Sequence, residues 1–87
     1  MYFWEIIYLM PQSQIIVIKR STGRGASHLR VVLEIEGIFK GGMTQPVYTN
    51  ENGDAYVQHT STGQANVFVD GKKVGKMKVP GQATFYV

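Results

Sequence analysis

Apolar and polar side chains alternate with a period of two along much of this chain. Between residues 29 and 36 the apolar side chains Leu29, Val31, Leu33 and Ile35 share one face, and Arg30, Glu34 and Glu36 lie on the other. Successive side chains of a strand point to opposite faces of a sheet, so this pattern predicts a half-buried β-strand.

The same pattern predicts further strands along the rest of the chain. These are residues 15–19, 45–49, 54–59, 64–69, 72–79 and 83–87. The run IIVIK at 15–19 predicts a strand buried on both faces. In the strand at 54–59, Ala55 and Val57 are expected to face inward, with Tyr56 and Gln58 outward.

Turn residues separate these strands. Asn and Gly tolerate the positive φ of tight turns, so residues 50–53 (NENG) predict one turn. The pair Asp70-Gly71 predicts a two-residue type I′ hairpin. That hairpin would place Val67, Val69 and Val74 in the core and Lys72 and Lys76 in solvent. A bulge is expected at Gly75.

The fold class predicted from this spacing is all-β, a small antiparallel β-sandwich of about seven short strands forming a single domain over residues 1–87. No stretch of ten or more residues has a helical apolar stripe, and seven or eight strands at this spacing indicate a sandwich or a partly open barrel. The chain has 87 residues and no cysteine, so disulfides and thiolate ligands are excluded.

Two segments resemble a known family. They are YTNENGDAYV at 48–57 and TGQANVFV at 62–69, each a Gly turn followed by an alternating strand. The chain is similar over about residues 30–69 to transthyretin-like, carboxypeptidase-regulatory-like (immunoglobulin-like) β-sandwich domains. It departs from their pattern at residues 23–27 and at Ala55, where a large aromatic is usual. The resemblance implies a non-catalytic accessory, adhesive or structural module.

No constellation of residues indicates catalysis. His28 and His59 have no acidic or histidine partner at ligand spacing, so both are expected on the surface at strand ends. Asn50, Asn52 and Asp54 alternate like calcium ligands, but the distal Glu is absent and turn chemistry explains them. We therefore predict that the chain is not an enzyme and has no cofactor and no metal site.

Charge is unevenly distributed around a net of +3. Residues 46–71 carry three acidic and no basic side chains, whereas residues 72–87 carry four lysines and no acid. These form a candidate basic patch of Lys72, Lys73, Lys76 and Lys78. Beside exposed aromatics at Tyr56, Phe68 or Tyr86 it could bind single-stranded nucleic acid. Lysines that protect an edge strand, or an acidic protein partner, are the alternatives. The opposite charges of the two segments would also suit head-to-tail self-association.

The first nine residues, MYFWEIIYL, are nearly all apolar. They are too few to span a bilayer, which needs about 20 residues, and they lack the basic start of a signal peptide. A cytoplasmic location is the default expectation. Three interpretations stay open for this segment: an extra strand, an arm that packs on another copy, or a non-native extension upstream of Met10.

The leading functional prediction is a non-catalytic binding or structural module in protein–protein or self-association, making a homo-oligomer the expected state. The candidate association surface is Tyr2, Phe3, Trp4, Ile38, Phe39 and Met43. The alternative is a small basic β-barrel that binds single-stranded nucleic acid.

Overall fold

The computed structural model describes residues 12–36, 42–59 and 62–87. These residues form two sheets built from nine strands, and the predicted all-β fold is confirmed. The strands are β1 (Gln12–Lys19), β2 (Arg24–Gly25), β3 (Arg30–Ile35), β4 (Gly42–Met43), β5 (Val47–Tyr48), β6 (Asp54–Gln58), β7 (Gly63–Val69), β8 (Lys72–Val79) and β9 (Gln82–Tyr86). Within the described ranges there is no helix with the length and apolar character needed to cross a membrane.

Sheet A is organised around β1. Strand β9 runs parallel to β1 on one side, and β6 and β2 run antiparallel to it on the other. Ile15 and Val17 are fully buried, whereas Ile16 and Ile18 on the outer face are only half-buried. The prediction that this strand is buried on both faces is therefore wrong for its outer face, which no described strand covers.

Sheet B has β3 and β7 at its centre. Strand β8 pairs with the far side of β7, and the two-residue strands β4 and β5 both pair with the far side of β3. Leu33 lies opposite Val67 in this sheet, and both side chains are fully buried. The predicted strand at 45–49 shortens to two residues, in agreement with the limit that Pro46 imposes.

The core lies between the inner faces of the two sheets. Every second side chain of the long strands enters it, as the period-two pattern requires. The principal members are Ile15, Val17, Val31, Leu33, Ile35, Ala55, Val57, Ala65, Val67, Val69, Met77 and Val79. The predicted orientation of β6 is confirmed, since Ala55 and Val57 are buried and Tyr56 and Gln58 are exposed.

The Asp70-Gly71 hairpin joins β7 to β8 as predicted. Asp70 has φ 50° and Gly71 has φ 84°, the two positive values of a type I′ turn. The register between β7 and β8 shifts beside Val67, which leaves Val74 as the extra residue of a bulge next to Gly75. Val74 is half-buried against the core rather than fully inside it, because the bulge turns the strand at this point.

A short strand that the sequence did not predict, β2, packs against the turn at residues 50–53. Gly25 lies so close to the backbone of Asn52 that a Cβ at this position would overlap it. Thr49 is buried beside this contact; its hydroxyl donates to the carbonyl of Ala26 at 2.6 Å and accepts from the amide of Leu29 at 2.9 Å. These contacts fix the segment between β2 and β3 at one end of the sandwich.

Candidate association surface

Strand β6 uses the hydrogen-bonding groups of alternate residues to pair with β1. The amide of Val17 donates to the carbonyl of Gly53 at 2.8 Å, and the same register places Ile15 opposite Ala55. In an antiparallel ladder, the residue pairs that exchange backbone N–H···O=C hydrogen bonds recur at every second position. The odd-numbered residues of β6 therefore bond to β1.

The even-numbered residues of β6 direct their backbone groups away from β1. Asp54 is satisfied locally, because its amide donates to the Asn50 side chain at 3.0 Å and its carbonyl accepts from the Asn50 amide at 2.9 Å. Tyr56 and Gln58 follow, and none of the described strands pairs with them on that side. Among the described residues, Tyr56 and Gln58 therefore form an open strand edge.

Exposed apolar side chains lie on the strands at this side of the molecule, but on two different faces. Met43 and Tyr48, opposite Glu34 and Arg30, are on the outer face of sheet B, and Tyr56 is on the outer face of sheet A. Strands β4 and β5 form the rim of sheet B on the same side of the molecule, where β5 contacts β6. Met43 and Tyr48 are each 60% exposed, and Tyr56 is 47% exposed. We call β4, β5 and β6 together the open side. On the opposite side β8 and β9 contact each other, and the Phe85 ring lies against Gly75.

Of the predicted association surface, the described residues include Met43, which stands on the open side as an exposed side chain. The other five predicted members, Tyr2, Phe3, Trp4, Ile38 and Phe39, lie outside the described residues. Tyr48 was not among the predicted residues. Its pairing opposite Arg30 on β3 could not be deduced from local sequence.

The predicted basic patch divides between two places. Lys73, Lys76 and Lys78 lie opposite Phe68, Asn66 and Gln64, so they share the outer face of sheet B. Lys72 lies opposite the core residue Val69, and Lys72 and Lys73 both line a cavity at the end of the sandwich, whereas Lys76 and Lys78 do not.

The aromatic partners proposed for these lysines are mostly elsewhere. Phe68 shares their face, half-buried, but Tyr56 and Tyr86 stand on β6 and β9 in the other sheet. Lys76 also forms a salt bridge with Glu36, with 3.2 Å between Nζ and Oε2. Of the three aromatic side chains predicted as alternatives, Phe68 therefore lies on the face of these lysines and Tyr56 and Tyr86 do not.

The acidic and basic segments do not occupy opposite ends of the molecule. The turn containing Glu51 packs against β2, next to Lys19 in the ladder, and Asp70 lines the same cavity as Lys19 and Lys72. Folding thus mixes charges that are separated along the sequence. The head-to-tail electrostatic pairing suggested by the sequence has no support in this arrangement.

A serine–histidine pair is present that sequence spacing did not indicate. Ser13 Oγ lies 2.8 Å from Nε2 of His59 and accepts a hydrogen bond from the amide of Gly81 at 3.2 Å. Ser13 has no exposed surface and His59 is 6% exposed, so the prediction of a surface His59 is wrong. A nucleophile must reach its substrate, and this hydroxyl is enclosed between strands. The pair joins β1 to the end of β6 and to the turn before β9.

The Asn50 side chain has a structural role in its turn. Its Oδ1 accepts from the amides of Asn52 at 2.9 Å and Asp54 at 3.0 Å, which is the turn chemistry expected of Asn. In the described part of the chain no group of three or more His, Cys, Asp or Glu side chains is arranged to hold a metal ion.

Comparison with known proteins finds likeness in structure but not in sequence. No family model matches the chain, and no curated protein matches it. Among solved structures it is similar to the TIE protein of Bacillus anthracis, with a TM-score of 0.60 and 14% identity over 90% of this chain. It is also similar to BcpA, the major pilin subunit of Bacillus cereus, with a TM-score of 0.58 and 13% identity over 90% of this chain.

The two matches cover only a domain-sized part of each neighbour. The chain spans 16% of the Bacillus anthracis protein and 29% of the Bacillus cereus pilin. At this identity the likeness shows a shared β fold. The finer resemblance to transthyretin-like domains stays a prediction.

Proposed function

We propose that this chain is a non-catalytic structural module that self-associates through its open side. The observation that carries the proposal is the β6 edge at Tyr56 and Gln58, with which none of the described strands pairs on the side away from β1. An unpaired edge presents free N–H and C=O groups that another strand can bond.

This edge has few of the features that prevent strand addition. Soluble proteins commonly place lysines on exposed edges, and β8 carries Lys72, Lys73, Lys76 and Lys78. Strand β6, DAYVQ, has no lysine, and its single charge is at its first residue. Addition of a strand to β6 would therefore meet little electrostatic opposition.

The apolar segment at residues 2–9 is the candidate donor strand. Residues 2–9 contain seven large apolar side chains interrupted only by Glu5. Burying one such side chain stabilises a structure by about 1.5–3 kcal/mol. In the proposed assembly this segment of one copy pairs with the β6 edge of another, a mode of recognition known as β-augmentation.

The structural neighbours accord with this proposal. One of them is a pilin subunit, and in both the matched region is a fraction of a longer chain. A β-sandwich used as one unit within a larger assembly needs contact surfaces rather than a catalytic pocket.

Sedimentation velocity of the purified full chain over a range of concentrations tests the proposal. Tyr56→Lys places a charge on the open edge, and Gln82→Lys is the matched control because Tyr56 and Gln82 lie in one row across sheet A, on either side of Gln14. We expect the unmodified chain and the control to associate with rising concentration, and Tyr56→Lys to associate more weakly. A chain that stays monomeric throughout, or equal association of the two variants, would contradict the proposal.

A further inference from the structure

A cavity of about 860 Å³ opens at the end of the sandwich where the Asp70-Gly71 hairpin projects. The ends of β1 and β9 and the segment between β2 and β3 form its other walls. It is separate from the open side, since Met43, Tyr48 and Tyr56 do not line it. Its volume is within the roughly 300–1,000 Å³ typical of small-molecule sites.

The inner wall of the cavity is apolar. Val69 is buried, and Leu29 and Val74 are half-buried and pack against the core. Tyr86, 56% exposed, stands at the side. The hydrogen bonds of Thr49 to Ala26 and Leu29 fix the part of this wall that lies between β2 and β3.

The rim of the cavity is basic. Lys19, Arg20, Lys72 and Lys73 line it, against the one acidic side chain of Asp70. The Oδ1 of Asp70 accepts a hydrogen bond from the amide of Arg30 at 3.0 Å. These five side chains sum to +3, the same as the net charge of the whole chain.

We infer that this cavity binds a small amphiphilic anion, a molecule with a carboxylate, sulfonate or phosphate group on an apolar body. The apolar body would displace water from Leu29, Val69 and Val74, and the anionic group would lie among the rim cations. This site does not depend on association through the open side.

Binding can be measured with 1-anilinonaphthalene-8-sulfonate, whose fluorescence rises in apolar surroundings, and with octanoate as a competitor. Lys72→Gln removes one rim cation. Lys78→Gln is the matched control, because both lysines are exposed on β8 but Lys78 lies on the outer face of sheet B. One unit charge at about 4 Å in water changes affinity about fivefold. We expect Lys72→Gln to weaken octanoate binding by about that factor and Lys78→Gln to leave it unchanged.

Two comparisons of ligands test the basic rim and the apolar wall separately, without altering the protein. Octanoate should compete far better than octylamine, because the rim is cationic, and better than butanoate, because the wall is apolar. Amide chemical-shift changes on octanoate addition should centre on Leu29, Val69 and Val74. The inference would be overturned if octanoate and octylamine competed equally, or if both lysine variants lost the same octanoate affinity. Chemical-shift changes centred on the open side would also overturn it.

Discussion

At the scale of single residues, Leu33 of sheet B and Val57 of sheet A both point into the core between the two sheets. Leu33 has no exposed surface and Val57 is 1% exposed, while the next residue along β6, Gln58, points into solvent. The period-two pattern predicted all three orientations, because a strand cannot shift by one residue without turning its apolar side chains outward.

Truncation of either core residue should strongly destabilise the fold. Leu33→Ala and Val57→Ala each leave a cavity between the sheets, and we expect a loss of about 2–4 kcal/mol in the free energy of unfolding. Gln58→Ala should change it by less than about 0.5 kcal/mol. Urea denaturation followed by circular dichroism measures both effects. A Gln58 variant as damaging as Val57→Ala would show that the assigned strand phase is wrong.

Buried polar residues were not predictable from the same pattern. His59 follows the last strand residue of β6 and was expected in solvent, yet it lies against Ser13, 46 positions earlier. Thr49 is likewise buried by its bonds to Ala26 and Leu29. Burial of these side chains depends on which distant backbone arrives beside them, and local periodicity contains no such information.

At the scale of elements, the hairpin from β7 to β8 follows directly from its two turn residues. The cost of positive φ for a residue with a Cβ is about 1–2 kcal/mol, and Gly avoids it. Gly71 has open space where a Cβ would lie, so conformation alone determines its identity. The two-residue strands β2 and β4 had no such local signal and were missed, since their pairing comes from the segments beside them.

Replacing Gly71 should separate conformational strain from packing. We expect Gly71→Ala to lower the free energy of unfolding by about 1–2 kcal/mol, because no neighbouring atom is displaced but φ is 84°. Gly71→Asn should cost less, since Asn tolerates this region. Thermal and urea denaturation of both variants provides the comparison. Equal stability of Gly71→Ala and the unmodified chain would argue against the type I′ turn.

At the scale of the whole molecule, the arrangement of surfaces depends on which strand joins which sheet. Tyr56, Phe68 and Tyr86 were equally eligible from the sequence as aromatic neighbours of the β8 lysines, but β6 and β9 belong to sheet A, and Phe68 lies in sheet B with β8. The long strands and the core positions could be predicted from the chain. The open side and the end cavity could not, because both are made by segments far apart in sequence.

Removal of residues 1–9 should reduce self-association. The segment supplies the proposed donor strand, and the remaining 78 residues retain β1 to β9. We expect a dimer or larger species for the full chain and a smaller species for the shortened one, measured by light scattering coupled to size-exclusion chromatography. The same number of subunits for both chains, with Trp4 fluorescence indicating burial in a monomer, would contradict this prediction. It would make the segment part of the core of its own chain.

Amide hydrogen exchange of β6 at low and high protein concentration tests the central claim most directly, because it measures the open edge residue by residue. Ala55 and Val57 bond to β1 and should exchange slowly at both concentrations. The amides of Tyr56 and Gln58 point away from β1, so they should exchange rapidly in dilute protein and become protected as copies associate. Exchange at Tyr56 and Gln58 that is independent of concentration would contradict association through the open side.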